Sequence, residues 1–494
     1  MSDSHSDPSS SGVDANVSLT IPRLYQAELI EEAKKRNIII RADTGTGKTL
    51  VALNLIVWTA AQPKSHPDEH LIQAFLVPTR PLCHQQAQYI QSHSKLRVKA
   101  YTGDLQADLR KIDAWRSELN EVDVIVSTAQ IFYDLISKGY WDFEDRDVAG
   151  GAIIIVWLKI LRSVYPRFWI DSIADLDYKD LIKAEKEIKN LQSALASQIY
   201  EVKRHTEDVS EYKLQTNELA VYFEPPSDFQ KLSHPPWEQI NELLAMHASV
   251  KATSIFESVY MELGTYAYSL SVLDWLKSLL TIGGLNQMMS GHLLDPIHQQ
   301  RIQGAITQLE QLLMNIEDIP GNQLSSKVIA LSKILVNYKE KDHRDDFHCI
   351  VFVERRQHAQ LLSTLLEHNV QLKDFIRPGT LIGHGGGSVN DSARNKMDSK
   401  SQNETVAKFK TGEHNLTIAT SVAEEGLDFR SCRVVIRFDQ ISTWKGYIQS
   451  RGRARARDSD YILMLPTGSS NKYDAFGDKE EMLKATLYIV RKMS

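Results

Sequence analysis

One stretch of the sequence has the residue types and spacing of a phosphate-binding loop: Ala42, Asp43, Thr44, Gly45, Thr46, Gly47, Lys48 and Thr49. It follows a strand predicted at 38–41 and leads into a helical pattern, which is the setting that such a loop requires. Gly45 and Gly47 allow backbone N–H groups to turn inward around an anion, which the positive end of the helix dipole also stabilises. Lys48 can reach the β- and γ-phosphates, and the Thr49 hydroxyl can ligate Mg²⁺. The pattern therefore predicts a site for a nucleotide with its metal ion.

A second candidate for nucleotide contact is Gln26, which ends the run Arg23-Leu24-Tyr25-Gln26 shortly before the loop. Its amide offers a donor and an acceptor side by side, as the edge of an adenine ring requires. Taken alone, a glutamine here would be an ordinary surface side chain, but its position near the phosphate loop favours an adenine contact. The loop itself departs from the general pattern at Ala42, where glycine is usual.

Short apolar runs alternate with helical stretches on both sides of the chain's middle. In the first part, strands are predicted at 38–40, 74–77, 98–101, 122–127 and 152–156, with helices at 48–61 and 105–119. The alternation returns from about residue 323, with strands at 349–353, 380–382, 416–419, 434–438 and 461–465 and helices at 357–368, 402–410 and 444–451. Such alternation predicts α/β units, in which helices cover a parallel sheet.

The middle of the chain, from about 171 to 319, has a helical pattern instead. Apolar residues recur there at spacings of three and four: Leu181, Ala184, Ile188, Leu191, Leu195, Ile199 and Val202. No proline occurs between Pro236 and Pro296. We therefore expect a mostly helical insert between two α/β units.

The composition is that of a globular protein, with 494 residues, 42% hydrophobic residues and a net charge of −6. It excludes a collagen-like or disulfide-stapled chain. The mild acidity means that any nucleic-acid surface is local. Cys83, Cys349 and Cys432 are widely spaced, so we expect reduced, buried side chains with no disulfide partner. No apolar run approaches the ~18–20 residues that span a bilayer, so we expect no membrane association. Reduced cysteines and the absence of a targeting signal lead us to expect a cytoplasmic location.

Six further segments occur in a fixed order along the chain. The first unit carries Pro78-Thr79-Arg80-Pro81-Leu82, Thr102-Gly103-Asp104 and Val126-Ser127-Thr128-Ala129-Gln130. The second unit carries Ile350-Val351-Phe352-Val353-Glu354, Ala419-Thr420-Ser421-Val422-Ala423-Glu424-Glu425-Gly426-Leu427-Asp428 and Gln449-Ser450-Arg451-Gly452-Arg453-Ala454-Arg455-Ala456-Arg457. This set resembles the superfamily 2 helicase core, specifically the helicase region of Dicer, of fungal Dicer-like proteins and of related RNA-sensing helicases. The resemblance covers about 22–465.

The resemblance implies two RecA-like parallel-sheet helicase domains with a helical insert between them. It implies ATP and Mg²⁺ as cofactors and double-stranded RNA as a partner, read by shape rather than by sequence. The residues implied to contact the RNA backbone are Thr79, Arg80, Gly103, Thr128 and Thr420. RNA silencing and antiviral defence follow from the same resemblance, with silencing proteins as candidate partners.

The resemblance also implies roles in ATP hydrolysis. Arg453 would act on the γ-phosphate as an arginine finger, stabilising charge in the transition state. Gln449 would orient the nucleotide or the attacking water, and Lys48 would hold the transferred phosphate. Gly426 and Asp428 would link the RNA and nucleotide surfaces.

One motif that the family requires is absent from this sequence. An Asp-Glu-x-His should follow the strand predicted at 152–156, to hold Mg²⁺ and activate water, but Trp157-Leu158-Lys159-Ile160 stands there. The sequence contains one adjacent Asp-Glu, at Asp68-Glu69, before the strand predicted at 74–77. The expected Ser-Ala-Thr or Thr-Ala-Ser is also not found. A metal and its carboxylate supply several kcal/mol of transition-state stabilisation. Each loss of about 1.4 kcal/mol of this stabilisation lowers the rate tenfold. We therefore expect impaired hydrolysis.

We expect five segments: a disordered tail over 1–18, a first helicase domain over 19–170, a helical linker and insert over 171–320, a second helicase domain over 321–470 and a C-terminal tail over 471–494. Because the Asp-Glu-x-His and the Ser-Ala-Thr are both missing, a block of the first helicase domain is expected to be deleted after about residue 156. The sequence shows no RNase III signature before Ser494, so we expect no endoribonuclease activity of its own. Two alternatives stay open. One is a working RNA-dependent ATPase or translocase whose missing block is an error in the predicted transcript. The other is a non-enzymatic remnant or scaffold.

Overall fold

The computed structural model groups the chain into two compact units. The residues that the structure describes are 21–40, 46–63, 72–102, 112–138, 189–190, 192–193, 197–200, 202–211, 216–226, 228–233, 236–290, 296–314, 316, 318–341, 347–383, 397, 399–421, 432–441, 443–454, 456 and 458–469. The first unit takes the described residues up to 138 and from 189 to 211, and the second takes those from 216 on. The strand predicted at 152–156 and both predicted tails lie outside the described residues.

Helices and strands alternate along most of the first unit. Its elements are α1 (Leu24–Lys35), β1 (Ile38–Ile40), α2 (Lys48–Ala60), β2 (Gln73–Val77), α3 (Arg80–Ser92), β3 (Val98–Tyr101), α4 (Ile112–Asn120), β4 (Val124–Thr128), α5 (Ala129–Ser137), β5 (Gln198–Tyr200) and α6 (Thr206–Glu211). The described strands form two parallel sheets, β2-β4-β3 and β1-β5.

Helix α2 packs against both sheets of the first unit. Val51 lies in an apolar cluster with Tyr25 and Tyr200 beside β1-β5. Leu53 lies in a second cluster with Phe75 and other residues of β2-β4-β3. Because α2 begins directly after Gly47, the burial of its apolar faces fixes the positions of Lys48 and Thr49 in this unit.

Strand β5 corrects the prediction of a helix through Ile199 and Val202. Ile199 pairs with Ile39 in parallel register, and the Gln198 N–H donates a 3.2 Å hydrogen bond to the Asn37 carbonyl. Pairing with a distant strand here outweighs the local helical periodicity. The other members of that apolar series, from Leu181 to Leu195, lie outside the described residues.

The second unit combines a group of helices with a second α/β pattern. Its elements are β6 (Thr216–Phe223), α7 (Trp237–His247), α8 (Val250–Leu263), α9 (Thr265–Ser290), α10 (Pro296–Leu313), a 3₁₀ turn (Gly321–Gln323), α11 (Ser326–Glu340), β7 (Cys349–Phe352), α12 (Arg356–Glu367), β8 (Pro378–Leu381), α13 (Ser399–Thr411), β9 (Leu416–Ala419), β10 (Val434–Arg437), α14 (Trp444–Arg451) and β11 (Ser459–Pro466).

One parallel sheet of order β6-β11-β10-β7-β9-β8 forms the core of the second unit. Its edge strand β6 lies inside the range that the sequence pattern predicts to be helical. All eight of its residues pair with β11, from Thr216 opposite Ser459 to Phe223 opposite Pro466. A strand of the chain's middle segment is thus part of this sheet.

The helices between β6 and β7 bury two sets of apolar side chains. Trp237, Leu276 and Ile306 lie in a cluster formed among α7 to α10. Leu263 and Tyr266 instead pack in the cluster that contains the strands of the sheet. The predicted helical insert therefore shares a core with the second sheet.

A buried lysine also ties these helices to the sheet. Lys327 of α11 contacts Glu262 of α8 and lies 2.8 Å from Asp439, just after β10. Asp439 also accepts a 2.7 Å hydrogen bond from the Glu354 N–H. Burial raises the pKa of the Asp439 carboxyl, but the Lys327 charge and these hydrogen bonds lower that pKa by more, so it lies below its ordinary value.

The predicted α/β architecture with two parallel-sheet units is confirmed. The predicted strands inside the described residues end within two residues of the observed ones. All three cysteines are buried. Among the described helices, none has the length and apolar composition needed to cross a bilayer. The predicted domain boundaries stay predictions.

Candidate functional site

The phosphate loop leads into the first turn of α2, where Gly47 is the N-cap residue. Gly47 has φ 74° and ψ 35°, a left-handed conformation that side chains disfavour, and no side chain caps the helix. Lys48 and Thr49 are the first two helical residues, and both are partly buried. The described part of the loop therefore presents a helix N-terminus with a cation and a hydroxyl beside it. Ala42, Asp43, Thr44 and Gly45 lie outside the described residues.

Helix α1 holds the loop through two side chains. The Tyr25 hydroxyl donates a 2.6 Å hydrogen bond to the Thr46 carbonyl. The Gln26 amide nitrogen donates to the same carbonyl at 3.1 Å and to the Gly47 carbonyl at 3.4 Å. Its amide oxygen accepts from the Arg23 N–H at 3.0 Å. Gln26 is 2% exposed and uses both ends of its amide inside the protein, so its predicted contact with adenine would require it to exchange these bonds and stays a prediction.

A buried carboxylate anchors α1 in turn. Glu28 accepts hydrogen bonds from the Tyr200 hydroxyl and from the backbone N–H groups of Lys203, Arg204 and His205, at 2.7–3.2 Å. Burial raises the pKa of the Glu28 carboxyl, but the four donors lower that pKa by more, so it lies below its ordinary value. Sequence reasoning missed Glu28, because its partners lie more than 170 residues further along the chain.

Two threonines predicted to contact RNA lie at one edge of the β2-β4-β3 sheet. Thr79 is the N-cap of α3 and Thr128 is the N-cap of α5, and in neither helix does the side chain cap the backbone. Thr128 is paired with Val77, the last residue of β2. The two helix N-termini therefore start from neighbouring strand ends, with their hydroxyls not used as caps. Such N-termini suit phosphate oxygens.

Of the remaining residues predicted to contact RNA, Arg80 lies next to Thr79, whereas Thr420 lies in the second unit. Arg80, the first residue of α3, is exposed. Thr420 follows β9 in the second unit, is 6% exposed, and accepts a 3.3 Å hydrogen bond from the Gly383 N–H. Gly103, Gly426 and Asp428 lie outside the described residues. The structure thus brings Thr79, Arg80 and Thr128 to one sheet edge in the first unit and keeps Thr420 on the sheet of the second.

The arginine-rich segment forms helix α14 and the turn after it. Thr443 caps the helix by accepting a 3.1 Å hydrogen bond from the Gly446 N–H. The amide oxygen of Gln449 is buried and has no hydrogen-bond partner within the described part of the chain. Arg453 is 6% exposed, and its N–H donates to the Ser450 carbonyl at 3.0 Å. The segment therefore carries a buried arginine and, four positions before it, a buried amide oxygen with no partner among the described residues.

The described residues offer few ligands for a divalent metal ion. No group of three or more His, Cys, Asp or Glu side chains among them could hold one. The Thr49 hydroxyl fits Mg²⁺ if the phosphate oxygens of a nucleotide complete its ligands, since this ion prefers oxygen and retains water. The chemistry that Mg²⁺ supplies when bound is neutralisation of phosphate charge.

Two family models match the chain, one in the N-terminal part and one in the C-terminal part where strands and helices alternate. A DEAD/DEAH box helicase domain matches residues 23–153, and a helicase conserved C-terminal domain matches 326–457. Dicer-like protein 1 of Aspergillus terreus is 31% identical over 90% of this chain. The predicted resemblance to the helicase region of Dicer-like proteins is confirmed. The chain is thus similar to the helicase region of Dicer-like proteins, and by the two family models it resembles helicase-type ATPases.

Plant proteins of the same kind are also similar to this chain. Endoribonuclease Dicer homolog 2b of Oryza sativa is 28% identical over 94% of the chain, and homolog 2 of Arabidopsis thaliana is 28% identical over 91%. The chain spans 30–37% of the length of these curated relatives. Among solved structures, the Pyrococcus furiosus Hef helicase domain covers 93% of the chain and is itself 98% covered, with a TM-score of 0.46 and 18% identity.

Proposed function

We propose that this chain binds ATP with Mg²⁺ and double-stranded RNA, and that it hydrolyses ATP poorly. The observation that carries the proposal is the phosphate loop, in which Gly47 opens α2 in a left-handed conformation and Lys48 and Thr49 follow. Because α1 fixes the loop carbonyls through Tyr25 and Gln26, the helix N-terminus is preorganised for an anion. Preorganised donors bind phosphate without an ordering cost.

Weak hydrolysis is proposed from the residues that the family uses and this sequence lacks. The DEAD/DEAH box match ends at residue 153, within the strand predicted at 152–156, after which the Asp-Glu-x-His is absent. Lys48, Gln449 and Arg453 would still hold phosphate charge and orient the nucleotide. Without the carboxylates no proton acceptor is assigned to the attacking water, so turnover would fall by several orders of magnitude.

RNA binding is proposed for the sheet edges that carry Thr79, Arg80, Thr128 and Thr420. Hydroxyls and helix N–H groups bind phosphate and 2′-OH groups without reading bases. This supports recognition of duplex RNA by shape. A role in RNA silencing or antiviral defence is proposed on the resemblance to Dicer-like proteins.

Calorimetric titration with ATP tests the nucleotide site. We expect the wild-type chain to bind, Lys48→Ala to lose most of the affinity, and Lys95→Ala, an exposed lysine of the same unit, to bind as wild type. ATP at about 100 times its Kd should raise the unfolding free energy by roughly 2.7 kcal/mol. A wild-type chain without affinity for ATP would overturn the proposal.

Phosphate release, measured with and without blunt duplex RNA, tests the expectation of poor hydrolysis. We expect release close to the background rate in both conditions. RNA-stimulated release that Lys48→Ala abolishes would instead show a working RNA-dependent ATPase.

A further inference from the structure

Strand β6 carries a carboxylate that holds helix α14. One oxygen of Glu218 accepts a 2.6 Å hydrogen bond from the Tyr447 hydroxyl, and the other accepts from Arg451 Nε at 2.8 Å. The Arg451 guanidinium also lies over the Tyr447 ring, 5.9 Å from its centre. Because positions 447 and 451 are one helical turn apart, a single carboxylate fixes both the rotation and the axial position of the helix.

A second residue of β6 reaches the segment that follows the helix. The Thr216 hydroxyl donates a 3.4 Å hydrogen bond to the Ala454 carbonyl. Thr216 and Glu218 are alternate residues of one strand and so lie on the same face. Their contacts at 451 and 454 lie on either side of Arg453 in the sequence. The face of β6 therefore supports the arginine-rich turn at both ends.

The side of α14 that meets the sheet is buried. Tyr447 is 4% exposed, and its ring meets the edge of Tyr461 with centres 5.7 Å apart. The Tyr461 hydroxyl shares a 2.8 Å hydrogen bond with the Ser450 hydroxyl. A rotation of α14 would break these contacts together with those of Glu218, so the helix has one preferred orientation on this sheet.

We propose that Glu218 is a positioning residue that fixes the position and rotation of α14 on the sheet. Through this helix it also positions Gln449 and Arg453. The inference rests on the proposed function, in which Arg453 acts on the γ-phosphate. Glu218 acts through Tyr447 and Arg451, the two side chains that its carboxylate holds. The sequence pattern does not connect these residues, since 229 positions separate Glu218 from Tyr447.

Positioning and plain structural support differ in a measurable way. A contact that supports only the fold would, when lost, weaken ATP and ADP binding alike, because the phosphate loop holds the phosphates that both nucleotides share. A contact that positions the arginine-rich turn would weaken only the part of affinity that depends on the γ-phosphate. The preference for ATP over ADP therefore separates the two roles.

Glu218→Gln in the full chain tests the proposal. Glutamine has the same size, but its amide nitrogen faces one of the two donors, so one contact is lost. Titrations use the non-hydrolysable β,γ-imido analogue of ATP and, separately, ADP, with blunt duplex RNA present. We expect affinity for the ATP analogue to fall roughly fivefold, as for a partly exposed ion pair, with ADP affinity unchanged. Tyr447→Phe removes the other contact and should shift the preference in the same direction.

Asn217→Ala is the matched control, since Asn217 lies on the opposite face of β6 and donates a 3.0 Å hydrogen bond to Asp460. Asn217→Ala should change neither the affinity for the ATP analogue nor the affinity for ADP. Equal losses for both nucleotides in Glu218→Gln, or no loss, would overturn the positioning role. If Glu218→Gln does not fold by circular dichroism, Tyr447→Phe decides by the same criterion. A wild-type preference for the ATP analogue that Arg453→Ala leaves intact would instead overturn the role proposed for Arg453.

Discussion

The Tyr25 hydroxyl donates a 2.6 Å hydrogen bond to the carbonyl of Thr46, 21 residues further along the chain. The helix before the first strand thereby holds the phosphate loop, and Glu28 on that same helix binds the segment at 203–205. A single helix thus connects the loop with a part of the chain that lies far away in sequence.

Replacing Tyr25 with phenylalanine should loosen the loop without opening a cavity. The Thr46 carbonyl keeps its hydrogen bond from the Gln26 amide but loses the buried hydrogen bond from the Tyr25 hydroxyl. We therefore expect the free energy of unfolding to fall by about 1 kcal/mol. Urea unfolding and ATP titration measure the two effects. Tyr133→Phe, at a 39% exposed tyrosine of the same unit, should have no effect. A wild-type ATP affinity in Tyr25→Phe would contradict the holding role.

Gly47→Ala should damage the loop for two independent reasons. The residue has φ +74°, and an added Cβ would lie 2.5 Å from the Gln26 amide nitrogen. We expect loss of most ATP affinity and a destabilisation of about 1–3 kcal/mol, measured by calorimetry and urea unfolding.

Gly304→Ala is the control for this substitution. Gly304 lies inside helix α10 with open space around it, so alanine there should stabilise the protein by roughly 0.5–1 kcal/mol. Wild-type ATP binding in Gly47→Ala would show that the loop conformation is not what binds the phosphate.

Glu28→Gln should remove one source of pH dependence. The pKa of Glu28 in the folded protein lies below its ordinary value of 4.5, so its ionised form stabilises the fold. That contribution is present above pH 4.5 and is lost as the pH falls through the lowered pKa. We expect Glu28→Gln to cost about 1–3 kcal/mol at neutral pH, with the difference from wild type narrowing in acid.

Urea unfolding of both proteins at neutral pH and below pH 4.5 measures this narrowing. The control is Glu31→Gln on the same helix, since the Glu31 side chain is 58% exposed in its ion pair with Arg204 and should contribute little. A constant difference between Glu28→Gln and wild type at all pH values would contradict the prediction.

Thr79→Val and Thr128→Val should weaken binding of duplex RNA. Valine keeps the shape of threonine but removes a hydroxyl that no helix cap uses, so each change should cost about fivefold in affinity, close to 1 kcal/mol. Fluorescence anisotropy with a labelled duplex at fixed salt measures it. Thr307→Val, whose hydroxyl bonds within its own helix, should bind as wild type. Equal affinity for all four proteins would remove both threonines from the RNA surface.

Most strands of the two sheets could be predicted from sequence, because local patterns dictate them. Buried runs such as Cys349–Phe352 and Leu416–Ala419 are short, apolar and bounded by helical patterns. The phosphate loop and the arginine-rich segment were predictable for the same reason, since each is contiguous. Their chemistry lies in residue types at fixed spacing.

Strands β5 and β6 and the carboxylates of Glu28 and Glu218 were decided only by the tertiary structure. Ile199 belongs to a helical repeat in sequence, yet it pairs with Ile39, and Glu218 looks like an ordinary surface glutamate until β6 joins β11. Hydrogen bonds between segments 160 or more residues apart leave no local periodicity. Their free energy arises only when the chain brings both partners together and shields them from water, so no spacing rule along the chain could have predicted them.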